Sequence, residues 1–458
     1  PDDEGLNHIW LRVKGEYQET TSNFEGKWIF VNEMGDELPL RNSSAINTLS
    51  RFVPIFFLSA LRDASQEFAQ RGQFWSGFLK SIQVPDDKRQ DIERMLKEVN
   101  SCVIDANAGL SEVTKKIAEA GKHIPLNNTD PVILEAVPTR IFDMVGKIQV
   151  HLKSNSGAKL PLQRYGEGTQ SLAVLMLFQA FTAISLNESY TPESTALLAL
   201  EEPEAHLHPS AIRSLGTLLS SMTGQLLVTT HSGDLISRVP VTSIRRLYKE
   251  NGETKIGLID SGSFTDREIQ AINYNIRLTR GHYLFSRCWL FVEGESDFHL
   301  MPLIFELLGY SQDDISFSVV EISQVIEKGE PLIKFAQALG IQWFLMADGD
   351  AAGQDYVRRA SQYCINGEIP SQRTKSLSCA DIEHEFWHNG FDGFIKSKLT
   401  PSQIQRIQIN ANGNQQEEVK QSIKTAINNL GGKPALAQEI IQEVRSRGLG
   451  SVPQVLKD

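Results

Sequence analysis

LFVEGESD, residues 290–297, and FLMADGDAAG, residues 344–353, decide how this chain is read. Each begins as a short apolar run of the kind that forms a strand buried on both faces of a parallel sheet, and each ends in carboxylates. Open α/β sheets collect their chemistry at the carboxyl ends of the strands, so the two runs predict one acidic site. Glu293 precedes a glycine suited to a tight turn, and Asp348 and Asp350 alternate across Gly349. Three hard oxygen donors of this kind suit a hard divalent cation, which is the layout of a phosphodiester-cutting centre. Read singly, either stretch serves equally well as a set of turn-forming and helix-capping acids.

Composition frames this reading. At 458 residues the chain is too long for one compact domain and suits two or three. Its 41% hydrophobic and 22% charged residues are ordinary globular material. No run approaches the roughly 20 apolar residues of a membrane span, and the amino terminus lacks a basic-then-apolar secretory pattern. The expected compartment is therefore the cytoplasm, with no membrane partner. Cys102, Cys288, Cys364 and Cys379 show no CxxC or other ligand spacing, which argues for buried or partly buried thiols over a disulfide frame or a zinc site. The formal charge of −11 speaks against a nucleic-acid coat working by bulk positive charge. It leaves room for a local basic groove, or for an acidic site balanced by bound metal.

The chain opens on Pro1 with strand-like segments at 8–13 and 27–32, and RFVPIFFLSA (51–60) predicts an apolar strand running into a helix. From about 64 to 125 the sequence becomes charged and helix-periodic. Ile92, Met95, Leu96 and Val99 recur at three and four, one face of an amphipathic helix, and predict a helical hairpin inserted in a sheet domain. Such an insert serves dimerisation or packs on its own domain. A strand at 148–152 precedes RYGEGTQSLAVL (164–175), whose glycines and hydroxyls would leave N–H groups free at a helix amino terminus, a natural phosphate cradle. Residues 196–200 then form a fully apolar strand ending in Glu201 and Glu202, and LLVTTH (226–231) is a strand ending in His231. Paired carboxylates at a strand end suit magnesium and water activation near a γ-phosphate, with a neighbouring histidine sensing that phosphate.

In this order, GEGTQS resembles the signature loop of ABC-type ATPases, LALEEPEAHLHP their Walker B strand and D-loop, and VTTHS their switch histidine. The resemblance implies nucleotide contacts from Gly166, Glu167, Gly168 and Gln170. It puts Glu201 in place of the magnesium-associated aspartate, Glu202 in that of the glutamate activating water, and His231 in that of the switch. Glu201 is one methylene longer than the usual aspartate, and His208 stands where a D-loop aspartate often lies. His206 and His208 also form an HxH pair with zinc-ligand chemistry. No GxxxxGK[ST] occurs; Gly121-Lys122 and Gly432-Lys433 lack its spacing and its hydroxyl. ABC-type domains carry that loop ahead of everything seen here, so the expectation is that an amino-terminal portion is absent and that this chain alone binds ATP poorly.

VEGESD followed by ADGDAAG resembles the Toprim fold of topoisomerases, primases and old-type nucleases. An ABC-type ATPase followed by Toprim resembles the overcoming-lysogenization-defect (OLD) family of nucleases over nearly the whole chain. SCADIEHEFW resembles that family's acidic segment, and GGKPALAQEI its late lysine segment. The resemblance implies metal roles for Glu293, Asp297, Asp348, Asp350 and Glu383, and for Lys433 the neutralising of transition-state charge. Asp297 lies four residues after Glu293, so a helix begun at Gly294 would lean it toward the same cavity. Glu295 and Asp381 are alternative ligands, and Glu385 would face away. Asp297 also suits a helix first turn, and Lys433 a helix start after glycine.

The expected fold class is α/β: an ABC-type ATPase portion (1–265) with a helical insertion at about 64–125, then a Toprim nuclease domain (283–458), a Rossmann-like parallel sheet with a C-terminal helical segment. The expected function is that of a metal-dependent DNA endonuclease. Two Mg²⁺ or Mn²⁺ ions would act at the Toprim site, and ATP with Mg²⁺ in the complete protein. The family further implies a homodimer or higher assembly, a role in antiphage defence, and a partner protein or nucleic acid there. Against it stand a non-cleaving ATP-dependent DNA-binding or scaffold protein, and topoisomerase or primase chemistry, for which no tyrosine nucleophile stands out. Arg277, Arg280 and Arg287 form a modest basic stripe, and Arg358, Arg359, Lys396 and Lys398 are candidate DNA-backbone contacts or solvated surface. Trp343, Phe344, Phe386 and Trp387 read as core and not as a stacking ladder.

Overall fold

A computed structural model describes residues 8–18, 23–39, 45–60, 84–121, 134–140, 150–153, 159–188, 194–260, 262–276, 281–323, 325–365 and 367–457. By mutual packing the chain divides into two units, Pro1–Thr230 and His231–Asp458.

The first unit opens with an antiparallel hairpin, β1 (Trp10–Gln18) and β2 (Asn23–Val31), which pairs Trp10 with Val31 and Gln18 with Asn23. Helix α1 (Ala45–Phe52) takes Arg51 and Phe52, which the sequence assigns to a strand, and β3 covers only Ile55–Leu58. Pro54 explains the correction: it has no N–H to give a helix and pushes Val53 out of helical conformation, so the helix ends and the strand starts beyond it. The helix expected after β3 falls in 61–83, outside the described residues. The hairpin insertion shows α2 (Asp86–Asp105) and α3 (Ala108–Gly121), joined where Asn107 Oδ1 accepts from Gly109 N at 3.0 Å and Leu110 N at 3.2 Å. Ile92 and Leu96 are half-buried there, but Met95 and Val99 are exposed. A short antiparallel pair follows, β4 (His151–Lys153) and β5 (Lys159–Pro161). Then come α4 (Glu167–Glu188), β6 (Leu197–Glu201), α5 (Pro209–Ser220) and β7 (Gln225–Thr229).

Strands β3, β6 and β7 form a parallel sheet with β6 central, Leu198 pairing with Phe56 and Leu226. Leu198 and Leu200 are buried, as are Val174, Leu175 and Phe178 of α4, and Phe56 meets Phe178 and Phe181 edge-on at 6.5 and 5.7 Å. On the opposite face Ile55, Phe57 and Leu227 are 55%, 51% and 58% exposed, so among the described residues this sheet is apolar on both sides yet covered on one.

The second unit begins with α6 (Gly233–Ile236), the antiparallel hairpin β8 (Arg245–Glu250) and β9 (Glu253–Leu258), and α7 (Asp266–Asn275). Next come β10 (Cys288–Val292), α8 (Glu295–Leu307), β11 (Phe317–Glu321), α9 (Glu330–Ala338), β12 (Gln342–Ala347), α10 (Ala351–Ala360) and β13 (Thr374–Ser376). Helices α11 (Ile382–Phe386), α12 (Pro401–Ala411), α13 (Gln415–Leu430) and α14 (Lys433–Arg447) complete it. The sheet runs β11-β10-β12-β13, every neighbouring pair parallel. Alternation along β10 divides the core into two layers. Leu290 and Val292 pack with Leu300 and Ile304 of α8, Phe386 of α11 and Ile440 of α14, while Trp289 and Phe291 pack with Leu332 and Phe335 of α9. Each such fully buried side chain stabilises the fold by about 1.5–3 kcal/mol before chain entropy is counted. Among the described residues no helix is long and apolar enough to cross a membrane.

Candidate metal centre

Parallel pairing brings the carboxyl ends of β10 and β12 to one edge of the sheet. Val292 pairs with Met346, and just beyond that pair Asp348 N donates to Glu293 Oε2 at 3.4 Å. Gly349 makes the following turn possible: its N–H donates to Cys379 O at 2.9 Å, and a Cβ there would lie 2.2 Å from that oxygen. Asp350 is the N-cap of α10, with Oδ1 accepting from Ala352 N and Gly353 N, both at 2.9 Å. Asp297 lies in the first turn of α8, where Oδ2 accepts from Gly294 N at 3.2 Å. Glu383, on α11, accepts from Ser296 Oγ through Oε1 at 2.5 Å. Lys433, the first residue of α14, places Nζ 4.0 Å from the same oxygen.

Asp297 and Glu383 are buried, and each keeps a second oxygen, Oδ1 and Oε2 respectively, without a hydrogen-bond partner. That is costly for a carboxylate and points to a missing positive partner. Burial, then the charge of Glu383, pushes Asp297 up to about 7. Burial, then Asp297 and Glu293, pushes Asp348 up to about 8. Glu383 is raised by burial and by Asp381. Burial pulls Lys433 down, but Glu383, Asp381, Asp297 and Asp348 more than offset it and hold it above its ordinary value. Crowded acids carrying open hard oxygens fit a hard divalent cation, and Glu293, Asp297, Asp348, Asp350 and Glu383 are the residues that could hold one. Among the described residues no three His, Cys, Asp or Glu side chains already converge as a finished cage, so a cation would have to draw these oxygens in.

The neighbouring acids have other duties. Asp381 caps α11 and binds His384 through its backbone N (2.9 Å) and Nδ1 (2.5 Å), bonds that outweigh burial and lower its carboxyl. Glu385 accepts from Cys379 N at 2.6 Å, and Glu295 is exposed. The basic candidates are ion-paired: Arg358 with Asp355, Arg359 with Glu330 at 2.6 Å, Lys396 with Glu418 at 3.2 Å and Lys398 with Glu439 at 2.6 Å. Arg287 is exposed, and Arg277 and Arg280 lie outside the described residues. Trp343, Phe386 and Trp387 are buried core and Phe344 packs partly buried against it. The sequence reading passed over Ser296 and the Asp381–His384 pair; their only signal was nearness to acidic residues already marked.

In the first unit the glycine turn meets the segment after β6. Glu167 opens α4, and a Cβ on Gly168 would lie 2.7 Å from His206 O. Ser171 Oγ donates to Ala205 O at 3.4 Å, and Gln170 Nε2 donates to Tyr165 O at 2.6 Å; Gly166 is exposed. Glu201 ends β6, with Oε2 accepting from Ala60 N at 3.3 Å. Glu202 and His206 take left-handed φ of 41° and 66°, unusual for residues with a Cβ and frequent at functional turns. The HxH pair separates: His206 Nδ1 lies 3.1 Å from Glu167 Oε2, and His208 caps α5 by accepting from Ser210 N at 3.3 Å. His231 opens the second unit, its ring 6.2 Å from that of Phe285.

Two family models match. Residues 150–282 match a family described as a protein of unknown function (DUF2813), and residues 284–350 match the overcoming lysogenization defect protein-like Toprim domain. The second match runs from the residue after Tyr283 through β10, β11 and β12 to Asp350, and so takes in Glu293, Asp297, Asp348 and Asp350. Residues 284–350 are thus similar to the OLD-like Toprim domain. Among its relatives, the uncharacterized protein YbjD of Escherichia coli K12 is 31% identical over 61% of this chain and 48% of its own length. The Old nuclease of Escherichia phage P2 is 27% identical over 41% of this chain and 33% of its own, and the OLD nuclease of Thermus scotoductus 25% identical over 50% and 45%. The chain spans about half the length, or less, of the curated relatives it matches.

Proposed function

We propose that this chain carries the cutting centre of a metal-dependent DNA endonuclease. The observation that carries the reading is the pair of buried, open carboxylate oxygens on Asp297 and Glu383, set among Asp348, Glu293 and the ammonium of Lys433. Mg²⁺ or Mn²⁺, two per site, would supply Lewis-acid activation of water and neutralise phosphate charge. Glu293, Asp297, Asp348, Asp350 and Glu383 would hold those ions. Lys433 would set a flexible point charge against the negative charge that builds on phosphorus as water attacks and the ester oxygen leaves.

Residues 1–265, with the helical insertion at about 64–125, form in this reading an ABC-type ATPase portion that controls cutting by the Toprim portion, 283–458. Gly166, Glu167, Gly168, Gln170 and Glu201 would meet ATP and its Mg²⁺, Glu202 would activate water and His231 would report the γ-phosphate. The packing of Gly168 against His206 O and the left-handed turn at Glu202 support it, since they join the glycine turn to the segment after the acidic strand. A cytoplasmic homodimer or higher assembly acting in antiphage defence is the biological form of the proposal.

The test incubates the protein with supercoiled plasmid and Mg²⁺ or Mn²⁺, with and without ATP, beside Asp348→Ala and Glu202→Ala. The expected result is nicking by the unsubstituted protein, lost in Asp348→Ala. Unchanged plasmid in every lane would instead favour a non-cleaving DNA-binding scaffold.

A further inference from the structure

We infer that Ser296 sets the size of cation this centre accepts, by engaging one oxygen of Glu383 and leaving a single oxygen for the cation. The inference rests on the reading of these carboxylates as a metal centre. Ser296 and Glu383 are each 2% exposed, and their side chains meet at 2.5 Å across 87 residues of sequence. Ser296 is the second residue of α8, ahead of any helical carbonyl to which a serine inside a helix could bond back, and its hydroxyl donates to Glu383 instead.

The same pattern recurs on the neighbouring carboxylates. Asp297 Oδ2 accepts from Gly294 N, and Asp350 Oδ1 accepts from Ala352 N and Gly353 N. Each of these three acids has one oxygen tied by the protein; on Glu383 and Asp297 the other is the buried, open atom. Backbone supplies the tie on the two aspartates, and a side chain supplies it on Glu383. Carboxylates restricted to one oxygen suit Mg²⁺, which takes six compact ligands in near-octahedral order. Ca²⁺ takes six to eight ligands and favours carboxylates that offer both oxygens. Removing the Ser296 hydroxyl frees Oε1 and lets Glu383 bind through both.

The test follows thermal unfolding of the full chain while Mg²⁺ or Ca²⁺ is titrated, for the unsubstituted protein and for Ser296→Ala, Ser296→Cys and Ser296→Thr. In Ser296→Ala the Mg²⁺ midpoint is expected to rise about tenfold or more, the usual cost of losing a group that orients a metal ligand. The Ca²⁺ midpoint should hold or fall, so the ratio of the two moves by at least that factor. Ser296→Thr, which keeps the hydroxyl, should retain the original ratio. Ser296→Cys keeps the shape with a weak donor, and decides the matter if the alanine variant does not fold. An unchanged Mg²⁺-to-Ca²⁺ ratio in the alanine and cysteine variants overturns the inference, even if their melting temperatures drop, because that is the signature of a purely structural serine. No response of the unsubstituted protein to either cation would overturn the metal-centre reading itself.

Discussion

Asp297 and Asp348, held by burial and by neighbouring carboxylates at about 7 and about 8, tie the stability of the second unit to pH with a definite sign. A carboxyl whose folded pKa stands above its ordinary 3.8 binds protons more tightly in the native state. Native and unfolded chains are equally protonated below about pH 4; as pH rises to about 8 the unfolded chain ionises first, and stability falls. The slope is at most about 1.4 kcal/mol per pH unit for each group. Urea denaturation in chelator at intervals from pH 5 to pH 8 should show this decline, and saturating Mg²⁺ should flatten it. A stability that climbs through this window in chelator would refute the assignment. Asp297→Asn follows from the same physics. The amide oxygen can still accept from Gly294 N while the buried charge disappears, so at pH 8 in chelator this variant should be more stable by about 1–3 kcal/mol. It should also lose most of the stabilisation that Mg²⁺ confers. A variant that is less stable in chelator would show that Asp297 serves as a cap alone.

At the scale of elements, what the sequence revealed depended on whether the deciding contacts were local. The runs that become β10 and β12 could be read because both faces are buried, which makes every position apolar until the carboxylates. The Gly168 turn and the acidic end of β6 were legible for a similar reason, as short patterns with fixed spacing. The run at 51–60 misled because Phe52 and Val53 are as apolar as the strand that follows, and only Pro54 marks the break. Ser296 could not be read at all, since its partner lies 87 residues away and a serine in a helix first turn looks like ordinary capping chemistry. The β3–β6–β7 sheet offers a direct contrast between its two faces. Leu198, fully buried against α4, should lose about 2–5 kcal/mol on truncation to alanine. Leu227, 58% exposed on the other face, should change stability by no more than about 0.5 kcal/mol when replaced by serine. Denaturant midpoints for the two variants check the pair, and a Leu227→Ser cost as large as that of Leu198→Ala would mean that face is covered in solution.

For the whole molecule, the question is where the second unit begins. The two family models meet at residues 282 and 284, close to the boundary expected from motifs, yet packing assigns everything from His231 onward to one unit. Arg246 of β8 shows why. Its guanidinium donates to Leu284 O and Ser286 O, both at 2.9 Å, and to Leu339 O and Gly340 O, both at 3.1 Å, tying the hairpin to the chain just past α9 and to the segment leading into β10. Glu268 of α7 pairs with Lys334 of α9 at 2.6 Å, and Ile259, Phe264, Ile272 and Ile276 share the core layer of Trp289 and Phe335. A fragment starting at 283 would strip those four apolar side chains from the layer and leave carbonyls that Arg246 had satisfied. Buried side chains of this size contribute about 1.5–3 kcal/mol each as an upper bound. A fragment of residues 231–458 is therefore expected to unfold cooperatively and to be more stable than one of residues 283–458 by on the order of 3 kcal/mol. Urea denaturation of the two fragments measures the difference. Equal midpoints would show that the Toprim sheet stands without the hairpin and α7, and would return the boundary to the residues where the two family models meet.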